Sequence, residues 1–245
     1  ATYNIKGGVG KTASAVNLSY LAARSGLSTL VWDLDPQGAA TFYYRIKPKV
    51  KGGARKLVKG KTTLGACVRG TDFEGLDLIP ADFSYRHMDL ELDSTKKPTG
   101  RLHRLIEPFR DEYDVVFLDC PPSISLVSES VFRAADALLV PSIPTVLSIR
   151  TLEQLAVALR GLKTKSLEVL PFWCMGDRRQ RLHRDLCQAP PSDPFRVLSA
   201  AIPSSSDVEK MGLHRSPIET YAHRSVAARA YRRLWDEVAE RTGLK

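Results

Sequence analysis

Lys6-Gly7-Gly8-Val9-Gly10-Lys11-Thr12 is the stretch from which the rest of this 245-residue chain is read. Three glycines let a backbone adopt positive φ and turn its N–H groups toward an anion, and a helical pattern beginning Ala13-Ser14-Ala15-Val16 adds the positive end of its dipole. Lys11 supplies an ammonium for the β- and γ-phosphates and Thr12 a hydroxyl for Mg²⁺. The standard pattern G-x-x-x-x-G-K-[ST] requires glycine at position 5, where this chain has Ile5 followed by a second lysine, Lys6. A glycine-rich turn alone also marks ordinary loops. Here the seven residues stand between an apolar Tyr3-Asn4-Ile5, read as a strand, and a helix, which is the context a phosphate cradle needs.

Downstream, apolar residues at Ala15, Leu18, Leu21 and Ala22 predict a helix over 11–26, ended by Gly26. The buried strand Ser28-Thr29-Leu30-Val31-Trp32 then runs into Asp33-Leu34-Asp35-Pro36-Gln37-Gly38, placing two carboxylates at a strand's C-terminal end, the ligand-binding edge of an open parallel sheet. Asp114-Val115-Val116-Phe117-Leu118-Asp119 repeats the arrangement ahead of Cys120-Pro121-Pro122-Ser123, with Asp119 placed to hold a magnesium shell. Further strands are predicted at 76–80, 137–141, 167–172 and 197–203, and helices at 100–110, 148–162 and 223–242. Alternating strands and helices imply an α/β fold, a mainly parallel sheet with helices on both faces, in one P-loop NTPase domain over 1–245.

At 43% hydrophobic the chain can bury a full core, and no apolar run approaches the roughly 18 residues of a membrane span. With no leader ahead of the cradle and four scattered cysteines, Cys67, Cys120, Cys174 and Cys187, the expectation is a cytoplasmic protein with free thiols. His183 and Cys187, one helical turn apart with Cys174 upstream, allow a metal site, although the usual ligand spacing is missing. The net charge of +9 points to an acidic partner, nucleic acid or an anionic membrane, against the plainer reading of solvated surface charge. Residues 45–61 hold eight Lys/Arg and read as an exposed loop or short helical excursion, either anion-contacting or simply solvated. Asp177-Arg178-Arg179-Gln180-Arg181-Leu182-His183-Arg184 is a dense basic helix start.

Taken together, K-G-G-V-G-K-T, D-L-D-P-Q-G, D-C-P-P-S, Asp177-Arg178-Arg179 and a terminal A-x-A-Y-x-x-L resemble the deviant Walker A ATPases of the ParA/MinD family, in its partition or cargo-positioning branch. The resemblance implies that ATP sandwiches two protomers, that the homodimer binds double-stranded DNA without sequence preference on the nucleoid, and that hydrolysis stimulated by a partner protein or cargo adaptor releases it. Carried onto this chain, Gly7, Gly8, Val9, Gly10, Lys11, Thr12, Ala13 and Pro203 contact the nucleotide. Lys6 reaches the other protomer's phosphates and, with Lys11 and Asp35, serves catalysis, Asp35 on the attacking water. Thr12, Asp33 and Asp119 hold or support Mg²⁺. The competing role for Asp35 is an N-cap ahead of Pro36, which would not require a second acid at Asp33.

The chain departs from the family in several places. Ala13 stands where a second Thr is frequent, so one hydroxyl for phosphate is missing. No N-K-x-D guanine-reading pattern occurs, which leaves adenine as the base. The loop after Pro203 reads Ser204-Ser205-Ser206-Asp207 in place of arginines, and no helix-turn-helix extension, with the operator recognition it gives, is expected ahead of the cradle. DNA contacts are therefore expected at Arg181, Arg184, Lys210, Arg215, Arg229, Arg232 and Arg233, with steep salt dependence. The competing readings are a MinD-type membrane-surface ATPase, which needs an amphipathic tail, an iron–sulfur ATPase, which needs two well-placed cysteines, and non-enzymatic DNA compaction. No membrane partner is expected.

Overall fold

Strand β1 (Thr29–Asp33) is buried along its whole length in the computed structural model, which describes residues 1–162 and 167–244. It pairs in parallel with β3 (Leu76–Ile79) on one side and β4 (Val115–Asp119) on the other, while β2 (Arg69–Gly70) adds an antiparallel edge to β3. A second parallel pair joins β5 (Ala137–Ser142) to β6 (Glu168–Trp173). Residues 1–3 unite the two. The Thr2 amide donates to Leu118 O (2.9 Å) and the Tyr3 amide to Leu139 O (2.9 Å), and Thr2 bridges both Asp119 and Leu139 in parallel. The order across the layer is thus β2-β3-β1-β4, residues 1–3, β5-β6.

Along β1, Leu30 and Trp32 face one apolar cluster and Val31 the other, and Leu118 and Phe117 divide in the same way. Burial on both faces is why these strands read as continuous apolar runs. One face is covered by α1 (Lys11–Arg24), α2 (Ala39–Tyr43) and the C-terminal elements. The other is covered by α3 (Gly53–Val58), α4 (Met88–Asp93), α5 (Arg101–Ile106), α6 (Leu126–Ala134) and α7 (Val146–Arg160). After β6 come α8 (Arg181–Gln188), α9 (Ser206–Glu209), α10 (Met211–His214), α11 (Glu219–Ala222) and α12 (Val226–Thr242). Helix α12 is capped by Ser225, ends at the left-handed Gly243, and buries Ala227, Ala230, Tyr231, Leu234, Trp235 and Val238.

Three sequence expectations shift. The strand expected at Tyr3-Asn4-Ile5 pairs earlier, because the Asn4 side chain donates to Pro141 O (2.8 Å) and accepts from the Lys6 amide (2.9 Å), turning the chain out of the sheet and into the cradle. Residues 197–203 run beside β6, with Leu198 and Ile202 donating to Pro171 O and Trp173 O. They form no regular strand, since the amides of Ser199 and Ala200 are taken by the Glu237 carboxylate of α12 at 2.9 Å each. The basic stretch 45–61 is built around α3, with Val50, Ala54, Leu57 and Val58 buried in the core.

Candidate functional site

The cradle lies where residues 1–4 leave the sheet and α1 begins. Gly8 (φ 70°) and Gly10 (φ 93°) hold left-handed backbone that other residues adopt only with strain. A Cβ at Gly10 would also stand 2.7 Å from Cys174 Sγ, whereas one at Gly8 meets nothing within 4 Å. Helix α1 has no acidic residue in its first turn and no side-chain cap, so its first amides are left for a ligand. Lys11 is buried, and its Nζ donates to Lys6 O (3.0 Å), bracing the loop from within. Burial lowers its pKa, partly offset by Asp119 and then Asp35.

Facing the cradle, Asp33 and Asp119 are register partners at the ends of β1 and β4, both fully buried. Asp33 is well satisfied: Oδ2 accepts from the Thr41 amide (2.8 Å) and hydroxyl (2.7 Å), and Oδ1 from the Asp35 amide (3.2 Å). Burial pushes its pKa up to about 6 against those hydrogen bonds. Asp119 is pushed well above the ordinary carboxylate range by burial and then by Asp33, and its Oδ2 has no hydrogen-bond partner among the described residues. Two adjacent carboxylates, one with an orphaned oxygen, beside the Thr12 hydroxyl make a hard-oxygen donor set that fits magnesium. No three or more His, Cys, Asp and Glu side chains cluster as a metal cage among the described residues. The remaining positions of such an ion therefore fall to phosphate and water. Asp35 Oδ1 accepts from the Gln37 amide (2.9 Å) in a local turn, and the N-cap of α2 is Gly38, so Asp35 caps no helix.

A cleft of 360 Å³ opens over the cradle and Asp35, and the buried Asp33 and Asp119 do not line it. Gly7, Gly8, Gly10, Lys11, Thr12, Ala13, Asp35 and Pro203 all line it, which brings together most of the nucleotide contacts expected from sequence. Val9 is buried beneath the loop, and Lys6 does not line the cleft. Sequence reading missed the opposite wall: Tyr43, Met175, Ser204, Ser205, Val208 and Tyr231. Met175 stands two residues past the end of β6 and holds φ 58°, so its place at a strand's C-terminal end was the available signal. His183, Cys187 and Cys174 form no metal site: His183 Nδ1 accepts from the Asp177 amide (3.1 Å), and Cys174 packs under Gly10.

The family model described as an AAA domain matches residues 1–170. Over 98% of its length the chain is 31% identical to the sporulation initiation inhibitor protein Soj of Bacillus subtilis, covering 97% of that protein. It is also 31% identical to the chromosome partitioning protein ParA of Caulobacter vibrioides, covering 98% of this chain and 93% of that one. The chain belongs to the ParA/MinD family of ATPases. Among solved structures, the cobyrinic acid a,c-diamide synthase of Mycobacterium smegmatis with bound ADP and magnesium superposes on this ParA-type chain with a TM-score of 0.81 at 26% identity, over 99% of this chain and 94% of that one.

The basic residues expected to meet DNA in this ParA relative are not equally available. Arg232 Nη1 bonds Glu219 at 2.7 Å and His223 O at 3.0 Å, locking α11 to α12. Arg215 donates to Phe42 O (3.1 Å) and lies over the Phe42 ring. Lys210 pairs with Asp207 at 3.3 Å and Arg181 with Asp185 at 3.7 Å, while Arg229 bonds Arg224 O. Arg184 and Arg233 line a second cleft of 410 Å³ with Arg178. The Arg215 and Arg232 guanidinium groups are the ones engaged by long-range partners within the chain, Phe42 and Glu219.

Proposed function

We propose that the chain binds MgATP in the cleft, dimerises around it, hydrolyses it to ADP and phosphate, and in the ATP state holds double-stranded DNA non-specifically to partition a replicon or position a cargo. The observation that carries the reading is the pairing of the open cradle Gly7–Thr12 with the register-matched Asp33 and Asp119, whose Oδ2 is left without a partner. A ParA-type protein acting in the cytoplasm on the nucleoid, answering to a stimulating adaptor, follows from the family. One ATPase domain over 1–245 is part of the same reading.

In this scheme the α1 amides and the Lys11 ammonium hold the β- and γ-phosphates. Burial makes that charge count for more than it does in water. Magnesium, when bound by Thr12 and Asp119 with Asp33 behind them, supplies neutralisation of phosphate charge. Asp35, on the cleft wall and free of any helix, orients the attacking water. Phosphoryl transfer asks the protein for position and electrostatics more than for covalent chemistry. Lys6, outside its own cleft at the front of the loop, is directed to a second protomer's phosphates, and the open space over Gly8 receives that protomer's close approach.

The test is light scattering and ATP turnover on the wild type and on Gly8→Val. The expected outcome is an ATP-dependent dimer for the wild type and a monomer for the variant. A variant that dimerises normally with ATP overturns the sandwich.

A further inference from the structure

We infer that the lysine-rich segment from Lys47 to Lys61, carried on α3 on the sheet face opposite α12, is a surface of this chain that grips the phosphate backbone of duplex DNA. The inference rests on the DNA reading above, takes the anion-contacting reading of this segment over the solvated one, and places the contact away from the C-terminal cations.

With no Asp or Glu between Arg45 and Lys61, the eight cations of that segment account for all but one unit of the formal net charge of +9. The remainder of the chain is close to neutral. Arg45 is engaged, pairing with Asp72 at 3.3 Å and donating to His214 O and Arg215 O. Lys47, Lys49, Lys51, Arg55, Lys56, Lys59 and Lys61 are all exposed. Among the described residues their one ion pair is Lys59 with Glu91, at 3.9 Å. This is the reverse of the C-terminal arginines, where Arg215, Arg232, Lys210 and Arg181 are each engaged by a carboxylate or a carbonyl.

The segment is also held firmly enough to present its charges together. Val50, Ala54, Leu57 and Val58 anchor it in the core, the Val50 amide donates to Asp82 Oδ2 (2.8 Å), and the Ala54 amide to Ser84 Oγ (2.8 Å). Gly52 takes φ 83°, and the stem of Lys56 folds over it. From α5, Arg101 lies against Gly60, its buried Nε without a partner among the described residues, so the cluster extends across the α3–α5 seam.

The chemistry selects duplex phosphate over the other polyanions. An anionic lipid surface would be held by charge alone, since the apolar side of α3 that could insert is already buried in the protein. Seven flexible cations on a segment whose helix is about 9 Å long match a polymer that offers a charge roughly every 1.7 Å of axis, with no pocket demanding a particular shape. Such contacts carry no sequence preference.

The test uses the full chain with Lys47, Lys49, Lys51, Arg55 and Lys61 all replaced by Gln, and a control with the four lysines replaced by Arg. Binding of random-sequence duplex is measured with ATP, across a salt series from about 50 to 200 mM. The Gln variant is expected to bind at least about tenfold more weakly near 0.1 M salt, with its log–log salt slope reduced by roughly 0.9 for each phosphate it no longer neutralises. ATP turnover and the thermal midpoint should hold, and the Arg control should bind as wild type. A Gln variant with wild-type affinity and slope overturns the inference and leaves the DNA reading standing. A wild type that ignores duplex at low salt in every nucleotide state overturns that reading as well. A wild type that binds phosphatidylglycerol vesicles and not duplex reassigns the surface to lipid.

Discussion

The phosphate side of the cleft, Gly7–Thr12 with Asp33 and Asp119, and the opposite wall, Met175, Pro203–Ser205 and Val208, are held in place by different means. The first is fixed by neighbouring parallel strands in register and by a helix that starts on the last residues of the loop. The second hangs on irregular backbone, with Gly176 and Pro203 making a single bridge and Ser205 capping the short α9. Charge is thus handled by rigid strand ends, where a displacement of a few tenths of an ångström would matter. The apolar contacts are left to a segment held by scattered backbone hydrogen bonds and not by strand register.

The largest effect is expected from Lys11→Ala on the rigid side. Charge-assisted hydrogen bonds contribute about 1.5–3 kcal/mol each, so MgATP affinity should fall by about 100-fold or more. Isothermal titration decides: unchanged affinity would mean that the cradle is not the phosphate site. Asp35→Ala comes next, with turnover reduced by about 100-fold while ATP affinity stays within a few-fold, because its role is confined to the transition state. Single-turnover hydrolysis at wild-type rate would reduce Asp35 to a turn residue.

Gly10→Ala probes the join between the two sides. Its Cβ would collide with Cys174 Sγ while the backbone stays left-handed, at a cost of about 1–3 kcal/mol in unfolding free energy. Adding Cys174→Ala should recover the collision part and leave the backbone part. A double variant no better than Gly10→Ala would show that the two sides are uncoupled. The smallest effect belongs to the wall: Met175→Ala and Val208→Ala should each weaken ATP by less than about tenfold without slowing turnover of bound nucleotide. A loss as deep as that of Lys11→Ala would erase the distinction between the two sides.

The rigid side was legible in the sequence because each part is local. Glycines at fixed offsets, Lys11 and Thr12 adjoining them, and acids ending apolar runs all show within a few residues of one another. The wall was not legible, since Tyr43, Val208 and Tyr231 meet only through the packing of α2, α9 and α12. The irregular run 197–203 escaped for a similar reason. Its alternation suits a strand, and only the distant Glu237 reveals where two of its amides go. Arg232 and Arg215 read as surface charges until Glu219 and Phe42 are brought to them. Charge in a sequence has a position but no partner.

The insertion of residues 1–3 between β4 and β5 also orders events during synthesis. Thr2 leaves the ribosome well before its neighbours, since Leu118 follows it by 116 residues, and the Pro141 carbonyl that receives Asn4 comes 137 residues after that asparagine. A nascent chain carrying the whole glycine-rich loop therefore lacks the flanks that aim it until β4 and β5 have been made. Loop closures that long are slow to form. The nucleotide can engage only after that point, and ATP should act on this protein as a ligand of a chain whose central strands are already made, not as a template for its early folding.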